Sequence, residues 1–553
     1  MSHPMMFKAR PLCWGACGAW LLVCGGEAAA FQIETGNPDL TLRWDNTVKY
    51  SNAFRLKSRS ALLTQDANQD DGNRNFGTGL ISNRFDLLSE FDASYRSVGA
   101  RISASAWYDD IYNRANDNDS PRTANAYSVA NNQFVDPTRV VNGRNVRLID
   151  AFAYNKGNVG DMPYVVRLGQ YTVLYGETLF FGSNGIAAAQ SPVDVNKLLA
   201  APSTQYKELA MPQPQLSVQL QVNARVAVGA YYQFHWQPDR LPPVGSYFSG
   251  VDILQQGGER ILAGAPLVPG GMPAAFFRTH DQKASNTGQG GVQLKWRPAG
   301  MEGEFGFYAA QFNAKAPIGV TYPGVGFNPL IGQIGTYALL YPDKIRTVGA
   351  SFTTSVGDAN LSGEVSLRQN MPLVPAGGSI SADRDGLASY PVGKTLHANL
   401  STLMQLPRTR WWDGGSLLGE LAYHRRLSIS RNAEALEPNS TRDALAMRAL
   451  FSPTYYQVLP GLDLSVPIGL GYNLMGRSSV LTGFNGGAHH GGDLSIGLSG
   501  VYQQKWNFSL TWTHFLGTLK PGRAPVNAAR QNYTYGQSLK DRDFLAFSVS
   551  RTF

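Results

Sequence analysis

The chain has 553 residues, of which 43% are hydrophobic and only 16% are charged, and its formal net charge is +8. Charged residues make up about a quarter of an ordinary soluble chain, so this composition is unusual for one. Basic residues are spread along the sequence instead of forming a patch, which argues against a nucleic-acid partner.

The N-terminal segment has the features of a secretory signal peptide. Two basic residues precede an apolar stretch, 11–24, which is too short to span a bilayer comfortably. Small residues follow, with Ala28 and Ala30 in the A-x-A pattern of a cleavage site. We therefore predict a cleaved signal peptide, 1–30, and a single mature domain, 31–553, because neither linkers nor internal repeats are visible.

All three cysteines, Cys13, Cys17 and Cys24, lie in this signal segment. A mature chain without cysteine excludes disulfides, thiolate metal sites and cysteine nucleophiles. Removing residues 1–30 leaves 46 basic and 39 acidic residues, a formal charge of +7. A basic protein can bind the phosphates of lipopolysaccharide or favour anionic solutes.

The mature protein is expected to begin at Phe31. Cleavage after Ala30 follows from the small residues at the A-x-A site, and it would remove every cysteine. N-terminal sequencing or intact-mass measurement of the exported protein checks this. A different first residue, or a lipid attached to Cys24, would contradict it.

Alternation of apolar and small polar residues dominates the mature chain. In one example Trp506, Phe508, Leu510 and Trp512 are separated by single polar residues. Beyond residue 30 no apolar run reaches the roughly 18 residues of a transmembrane helix, and the mean hydropathy is −0.21. A membrane barrel has such a low average because residues that face lipid alternate with residues that face the lumen.

This alternation predicts about 18 strands, within a range of roughly 14 to 20, and thus an all-β fold, a transmembrane antiparallel β-barrel. Most segments have a length near that of a tilted strand that crosses a bilayer, which is about 9–11 residues. The predicted strands are 41–54, 84–96, 99–109, 147–156, 163–171, 215–223, 225–236, 288–297, 303–312, 346–357, 359–368, 395–405, 416–425, 443–452, 461–472, 492–503, 506–516 and 543–553.

The connections between the predicted strands alternate between short and long. Short periplasmic turns and longer external loops produce this alternation in outer-membrane barrels, and an even strand count puts both termini on the periplasmic side. The pattern therefore predicts a protein of the bacterial outer membrane. The long connections are 55–83, 110–146, 172–214, 237–287, 313–345, 369–394, 426–442, 473–491 and 517–542.

Charged residues fall on the strand face opposite the apolar one and are predicted to project into the lumen. On the lipid side, a charge near the bilayer midplane would cost about 2–4 kcal/mol. Two interpretations stay open: the charges set a field across a conduit, or they pair with one another and merely fill the lumen. The candidates are Arg84, Asp86, Glu90, Arg101, Arg167, Glu364 and Arg368.

The connection 172–214 is the strongest candidate for a functional segment. Glu177, Phe180 and Phe181 lie in a stretch that is unusually apolar for an external loop. Ser191, followed by proline, indicates a helix start with the serine as N-cap. Because an apolar loop is better buried than exposed, we predict that it enters the lumen as a constriction or plug, with those three residues near the narrowest point. The alternative is an external cap packed on its neighbours.

The C-terminal strand resembles the signal that the outer-membrane barrel assembly machinery reads. Phe547, Val549 and the terminal Phe553 carry the resemblance, whereas Arg551 stands where an apolar residue is commoner. The predicted partners are therefore the assembly machinery, and outer-membrane lipid and lipopolysaccharide around the finished barrel.

Four stretches, 31–50, 83–92, 104–109 and 168–182, resemble a proteobacterial family known as domain of unknown function 1302. The resemblance extends over nearly the whole mature chain. It implies an outer-membrane barrel of a kind often associated with lipids or hydrophobic compounds and with periplasmic or inner-membrane export partners. It supplies neither catalytic residues nor a settled substrate.

Three functional hypotheses stay open. The first is a channel or transporter for a hydrophobic or amphipathic, lipid-like compound, which aromatic loops and a lumen plug favour. The second is a structural or assembly barrel of an envelope complex, and the third is an outer-membrane hydrolase. The sequence has no G-x-S-x-G or H-E-x-x-H motif, and the adjacent His489 and His490 lack further ligands at metal-site spacing. We therefore predict no catalytic residues, no metal and no other cofactor.

Overall fold

The computed structural model describes residues 31–254, 256–525 and 531–553, so the predicted signal peptide lies outside the described residues. These residues form one antiparallel sheet with 20 strand segments and a separate sheet with 5. Two segments of the large sheet are halves of one strand, which is interrupted where Pro467 lacks an N–H for the ladder. A third segment, Phe31–Ile33, is a short addition beside the first long strand, so eighteen strands form the wall.

The wall strands follow one another around the barrel in chain order. Their bounds are β1 Leu40–Arg55, β2 Gly79–Tyr95, β3 Val98–Asp109, β4 Arg144–Val159, β5 Met162–Tyr171, β6 Gln213–Asn223, β7 Val226–Gln233, β8 Gln289–Trp296, β9 Glu304–Phe312, β10 Ile345–Val356, β11 Ala359–Pro372, β12 Val392–Gln405, β13 Gly414–Arg431, β14 Asp443–Leu459, β15 Leu462–Ser465 with Ile468–Gly476, β16 Gly492–Tyr502, β17 Trp506–Leu516 and β18 Phe544–Thr552.

The first and last strands close the barrel. On one side β1 pairs with β2, and on the other it pairs with β18 in a register that runs from Thr47 opposite Thr552 to Arg55 opposite Phe544. All neighbours in the wall are antiparallel, including β7 and β8, which the chain joins through a long connection. A closed sheet leaves no edge whose backbone groups would need water inside a membrane. The predicted barrel of about 18 antiparallel strands is confirmed.

The strands present apolar side chains outward and polar side chains inward. On β11, Val365 and Leu367 are 45% and 44% exposed, whereas Glu364 and Arg368 are 6% and 2% exposed. This is the reverse of a soluble sheet and suits an outer surface that lies against lipid.

Short and long connections alternate strictly between the two ends of the barrel. The turns 96–97 and 357–358 have two residues each, and Arg96 and Gly357 adopt the positive φ angles, 51° and 58°, that tight hairpins require. The longer connections all lie at the opposite end, and both ends of the wall lie on the short-turn side. By the rule for outer-membrane barrels, the short-turn end is periplasmic and the long connections are external.

The external connections have a sheet and a core of their own. The sheet joins three connections, and it could not be predicted from the sequence because prolines in its strands are typical of loops. Its strands are Arg260–Pro266, Pro273–Arg278, Ile318–Asn328, Gln333–Leu340 and Ser379–Ser381. Beside it an aromatic core of Phe76, Tyr112, Phe134 and Tyr247 packs on Phe544 at the rim of the wall.

Helices are short and confined to the connections. The α-helices are α1 Asp71–Arg74, α2 Asp136–Thr138, α3 Val195–Ala200 and α4 Tyr206–Leu209; single 3₁₀ turns are Ala61–Thr64, Ile111–Asn113, Ile186–Ala189, Ala376–Gly378, Ala433–Ala435 and Phe484–Gly486, and Arg139–Gly143 is a π turn. In the part of the chain that the structure describes, none is long and apolar enough to cross a membrane.

Candidate functional site

The connection between β5 and β6, residues 172–212, lies inside the barrel, and we call it the lumen loop. It contacts the inward-facing side chains of β11–β14 and then returns to β6. Its fixed points are mainly backbone groups bound by side chains of the wall. The lumen loop is thus positioned to narrow the passage, but its role as a constriction stays a prediction.

Glu364 on β11 is the first of these anchors. Its carboxylate accepts hydrogen bonds from the backbone N–H groups of Glu177 at 2.8 Å and Ile186 at 3.0 Å. Hydrogen bonds to a charged acceptor are stronger than neutral ones, and this carboxylate is shielded from water. A Cβ atom at Gly185 would overlap with the same carboxylate, so the close approach depends on that glycine.

Glu420 on β13 is the second anchor. Its carboxylate accepts from the backbone N–H groups of Phe180 and Phe181, the latter at 2.9 Å, and from the Thr178 hydroxyl at 2.8 Å. The Asn399 side chain on β12 donates to it at 2.8 Å. With four donors, this buried carboxylate is well compensated for the loss of water.

Arg368 on β11 binds carbonyl oxygens of the loop backbone, whereas the two glutamates bind its N–H groups. Its guanidinium donates to the carbonyl oxygens of Ser183, Asn184 and Gly185 at 3.1, 2.9 and 2.7 Å. In one turn of the lumen loop, backbone N–H groups therefore donate to wall carboxylates, and backbone carbonyl oxygens accept from the guanidinium of Arg368.

Asn184 connects this turn to two more strands. Its side-chain oxygen lies 3.0 Å from Nδ1 of both His397 on β12 and His424 on β13, so each ring is assigned its proton on Nδ1. Its side-chain nitrogen donates to Asn399 Oδ1 at 2.7 Å. Both histidines are buried and act here as donors to the loop.

Phe180 and Phe181 pack against the wall. Their buried rings form an apolar cluster with Leu418 and Ala422 of β13 and with Phe484 of an external connection. Burying a phenylalanine stabilises by roughly 1.5–3 kcal/mol. Because the rings face the wall, any contribution they make to a constriction comes from holding the loop in place and not from lining the passage.

The helix in the lumen loop begins later than the sequence indicated. Its N-cap is Asp194, whose carboxylate accepts from Lys197 N–H at 2.9 Å, and the helix starts at Val195. Ser191 makes no cap, because the chain is still extended at Val193, which bridges to Ala210. The prediction of Ser191 as N-cap was wrong, since an aspartate three residues later competes for the same role.

The wall opposite the anchors carries ion pairs that border water. On β2, Arg84 lies 2.6 Å from Asp86. Arg101 on β3 pairs with Glu90 and lies 3.1 Å from Asp92. These five side chains are between 26% and 39% exposed, unlike the covered anchors, so the lumen loop does not fill this side of the barrel.

A cavity of about 380 Å³ lies between the lumen loop and the periplasmic turns. The first residues of the loop, 172–175, form its boundary on the external side. Pockets of such volume accommodate small organic solutes. Its charged lining residues are Arg167, Arg225, Lys295, Arg297 and Glu304.

The charge in this cavity is predominantly positive. Glu304 lies 2.7 Å from Lys295 and 2.8 Å from Arg297, and so partly neutralises both. Arg167 and Arg225 form no ion pair with any carboxylate among the residues that the structure describes. An excess of positive charge in a partly enclosed space attracts anions.

Glu177 connects the cavity to the anchored turn. Its carboxylate lies 3.6 Å from Lys295 Nζ, while its backbone N–H is held by Glu364. Burial raises the pKa of Glu177, and the nearby Lys295 opposes that shift. Of the three residues predicted near the narrowest point, Glu177, Phe180 and Phe181, only Glu177 has a side chain that approaches this cavity.

The structure brings the sequence candidates together in three groups. Glu364 and Arg368 lie with Phe180 and Phe181 at the anchored side, and the opposite wall carries Arg84, Asp86, Glu90 and Arg101. Arg167 lines the cavity, and Glu177 lies beside Lys295 of the same cavity. Asn184, His397 and Arg225 were not predicted from the sequence as functional residues. The alternation of Thr395, His397, Asn399 and Ser401 with apolar residues could have indicated that His397 faces inward.

A second cavity, of about 150 Å³, lies among the external connections. Its lining includes Leu481, Phe484, Tyr533 and Tyr535, several glycines and the side chain of Met475. Phe484 also packs on Phe181, so this cavity adjoins the anchored side of the lumen loop.

Comparisons with known proteins place these features in context. The model of the family described as "Protein of unknown function (DUF1302)" matches residues 12–553. No curated relative matches the chain.

Solved structures to which the chain is similar include three bacterial outer-membrane proteins. OpdK of Pseudomonas aeruginosa with vanillate has 11% identity and a TM-score of 0.38, over 93% of this chain and 98% of that one. A BenF-like porin from Pseudomonas fluorescens Pf-5 has 9% identity and a TM-score of 0.40, with the same coverage, 93% and 98%. The channel DcaP of Acinetobacter baumannii has 8% identity and a TM-score of 0.36, over 95% of this chain and 100% of that one. The overlap is distant, and the barrel is established by the strand pairing itself.

Proposed function

Because this chain belongs to the DUF1302 family, whose description names no activity, we propose a function from its own geometry: a channel that passes amphipathic compounds carrying an anionic group. Its location is the bacterial outer membrane, as the closed barrel and apolar exterior require. The observation that carries the proposal is the cavity of about 380 Å³ in which Arg167 and Arg225 lack an acidic partner within the described chain.

The charges explain why an anion is favoured. A carboxylate or phosphate in the cavity would meet four basic side chains and one fixed carboxylate, Glu304, with Glu177 at the boundary. The planar guanidinium groups of Arg167 and Arg225 suit two-point binding of such groups.

The second cavity, among the external connections, supports the proposal that the substrate also has an apolar part. The external cavity of about 150 Å³ has aromatic and aliphatic walls and adjoins Phe181 of the lumen loop through Phe484. A compound with an acidic head and an apolar body could contact both regions in turn. The lipid-like substrate of the first hypothesis is therefore narrowed to compounds of this kind.

Measuring transport of matched pairs of compounds tests the proposal. The mature protein is reconstituted in liposomes, and uptake of an aromatic or medium-chain carboxylate is compared with that of its neutral amide. At a distance of about 5 Å in a medium like water, one charge pair is worth about 0.8 kcal/mol. Two unpaired arginines should therefore favour the carboxylate by about tenfold. Equal uptake, or faster uptake of a matched amine, would contradict the proposal.

The structural-barrel hypothesis makes the opposite prediction for the same experiment. It is favoured by the ion pairs of Arg101 with Glu90 and Asp92, which neutralise charge inside the lumen. If correctly folded protein carries neither ionic current nor solute, this second function becomes the better one.

A further inference from the structure

We propose that the external connections bind a calcium ion at three buried aspartates, Asp70, Asp71 and Asp252. One carboxylate oxygen from each lies within 4.8 Å of the others. Asp70 and Asp71 lie at the start of α1 in the connection between β1 and β2, and Asp252 lies in the connection between β7 and β8. None of the three aspartates belongs to the lumen loop or to its anchors.

Two oxygen atoms of this aspartate cluster are buried without a partner. Asp70 Oδ1 and Asp252 Oδ1 accept no hydrogen bond within the described structure, and the two residues are only 1% and 0% exposed. The second oxygen of Asp252 accepts from Asp71 N–H at 3.0 Å. Burying a carboxylate oxygen without a hydrogen-bond partner destabilises the folded state, unless a bound ion such as a metal cation supplies the missing interaction.

Asp71 is held in position by neutral donors. Its carboxylate accepts from the side chains of Thr123, Asn118 at 3.0 Å and Asn125 at 2.9 Å, all from the connection between β3 and β4. Carboxylate oxygens have about four lone-pair sites, so three donors leave one for a metal.

Basic side chains neutralise the aspartate cluster only in part. Arg74 lies 2.5 Å from the second oxygen of Asp70 but is shared with Asp119, 2.9 Å away. Arg542 instead donates to the carbonyl oxygens of Tyr247 and Ser249. The remaining negative charge can be balanced by a divalent cation.

The ligand chemistry favours calcium. All the donors are oxygen atoms, which suit calcium and magnesium and disfavour zinc or copper. Calcium accepts irregular geometry and mixed carboxylate and water ligands, whereas magnesium demands a near-ideal octahedron. A cavity of about 10 Å³ beside Asp71, also bordered by Asn75 and Thr123, has room for about one water molecule to complete the coordination.

The ion would join three connections over the mouth of the barrel. Two of them supply the aspartates, and the third supplies the donors to Asp71. The backbone of α1 already lies tightly against the connection between β7 and β8, because a Cβ atom at Gly72 would lie 2.5 Å from Ser249 O. Calcium would therefore stabilise the existing contact between α1 and the connection between β7 and β8, and its removal would let these external connections separate.

Limited proteolysis of the purified full-length mature protein in detergent tests this proposal. With calcium at 100 times its dissociation constant, the open state should be about 100-fold less populated than in EGTA, and external cleavage should slow by a similar factor. Isothermal titration with calcium chloride should give one site. Equal cleavage rates in calcium and EGTA, or protection by magnesium but not by calcium, would overturn it.

Two variants and one matched control assign the effect to the aspartate cluster. Asp252→Asn and Asp70→Asn should each weaken calcium binding at least about tenfold and abolish calcium protection, and each should remain folded because it also removes repulsion. Asp136→Asn, at a carboxylate that is 88% exposed, should behave as wild type. Retained calcium protection in both cluster variants, with barrels intact by heat-modified gel mobility, rejects the site.

Discussion

Deleting residues 180–200 of the lumen loop is expected to raise the single-channel conductance of the reconstituted protein several-fold. The deletion removes Phe180 and Phe181 with their contacts to Glu420, and the turn bound by Arg368. A barrel of about 16–18 strands encloses an aqueous channel unless something fills it.

The wall should survive this deletion. All eighteen strands pair with wall neighbours, and neither β5 nor β6 needs the loop for its ladder with the other. Glu364, Glu420 and Arg368 would lose their loop partners, but water entering the widened lumen can hydrate them. Heat-modified gel mobility and circular dichroism check the fold before conductance is compared in planar bilayers.

A deletion of 382–389 from the external connection between β11 and β12 is the matched control. These residues lie outside the wall and outside the lumen loop, so conductance should stay at the wild-type level. Cells with the 180–200 deletion should also become sensitive to large antibiotics. If that variant is folded and its conductance is unchanged, the lumen loop is not the constriction, and the charged wall of β2 and β3 becomes the better candidate for selectivity.

Reversing the two unpaired charges of the cavity, Arg167→Glu with Arg225→Glu, is expected to convert preference for anions into preference for cations. Each reversal replaces an attraction of about 0.8 kcal/mol at 5 Å by an equal repulsion. For a monoanion the two together amount to about 3 kcal/mol, or about 100-fold in affinity, and screening at physiological salt reduces this towards tenfold.

The reversal potential in a potassium chloride gradient measures this change directly. Its sign should invert in the double variant, and carboxylate uptake should fall by the factor above. Arg408→Glu with Arg410→Glu changes the net charge equally but acts on a periplasmic turn outside the cavity lining, so it should leave the sign unchanged. The same shift in both double variants would mean that overall charge, and not the cavity, sets selectivity.

Much of the wall could be predicted from the sequence because its signal is local. Alternation along β17 from Trp506 to Trp512 identifies a strand without knowledge of its neighbours. The same alternation places Glu364 and Arg368 on the inner face. The identity of their partners could not be predicted, because each contacts backbone groups about 180 positions away in the chain.

The external features were harder to predict for a different reason. The loop sheet forms from strands such as Pro273–Arg278, whose proline and short length are typical of loops. The aspartate cluster could not be predicted either, because Asp252 lies about 180 positions along the chain from Asp70 and Asp71.

The anchoring of the lumen loop determines which of its residues can change. Glu364 and Glu420 accept hydrogen bonds from backbone N–H groups of the loop. Arg368 donates to its backbone carbonyl oxygens, as do Arg448 at Pro202 and Lys315 at Ala188. Any amino acid except proline supplies the N–H groups, and every amino acid supplies the carbonyls. Loop side chains that make no contact of their own with the wall can therefore differ without displacing the loop, and the solutes admitted would differ with them. Five side chains, four on the wall strands β11, β13 and β14 and Lys315 in an external connection, keep the loop in its place.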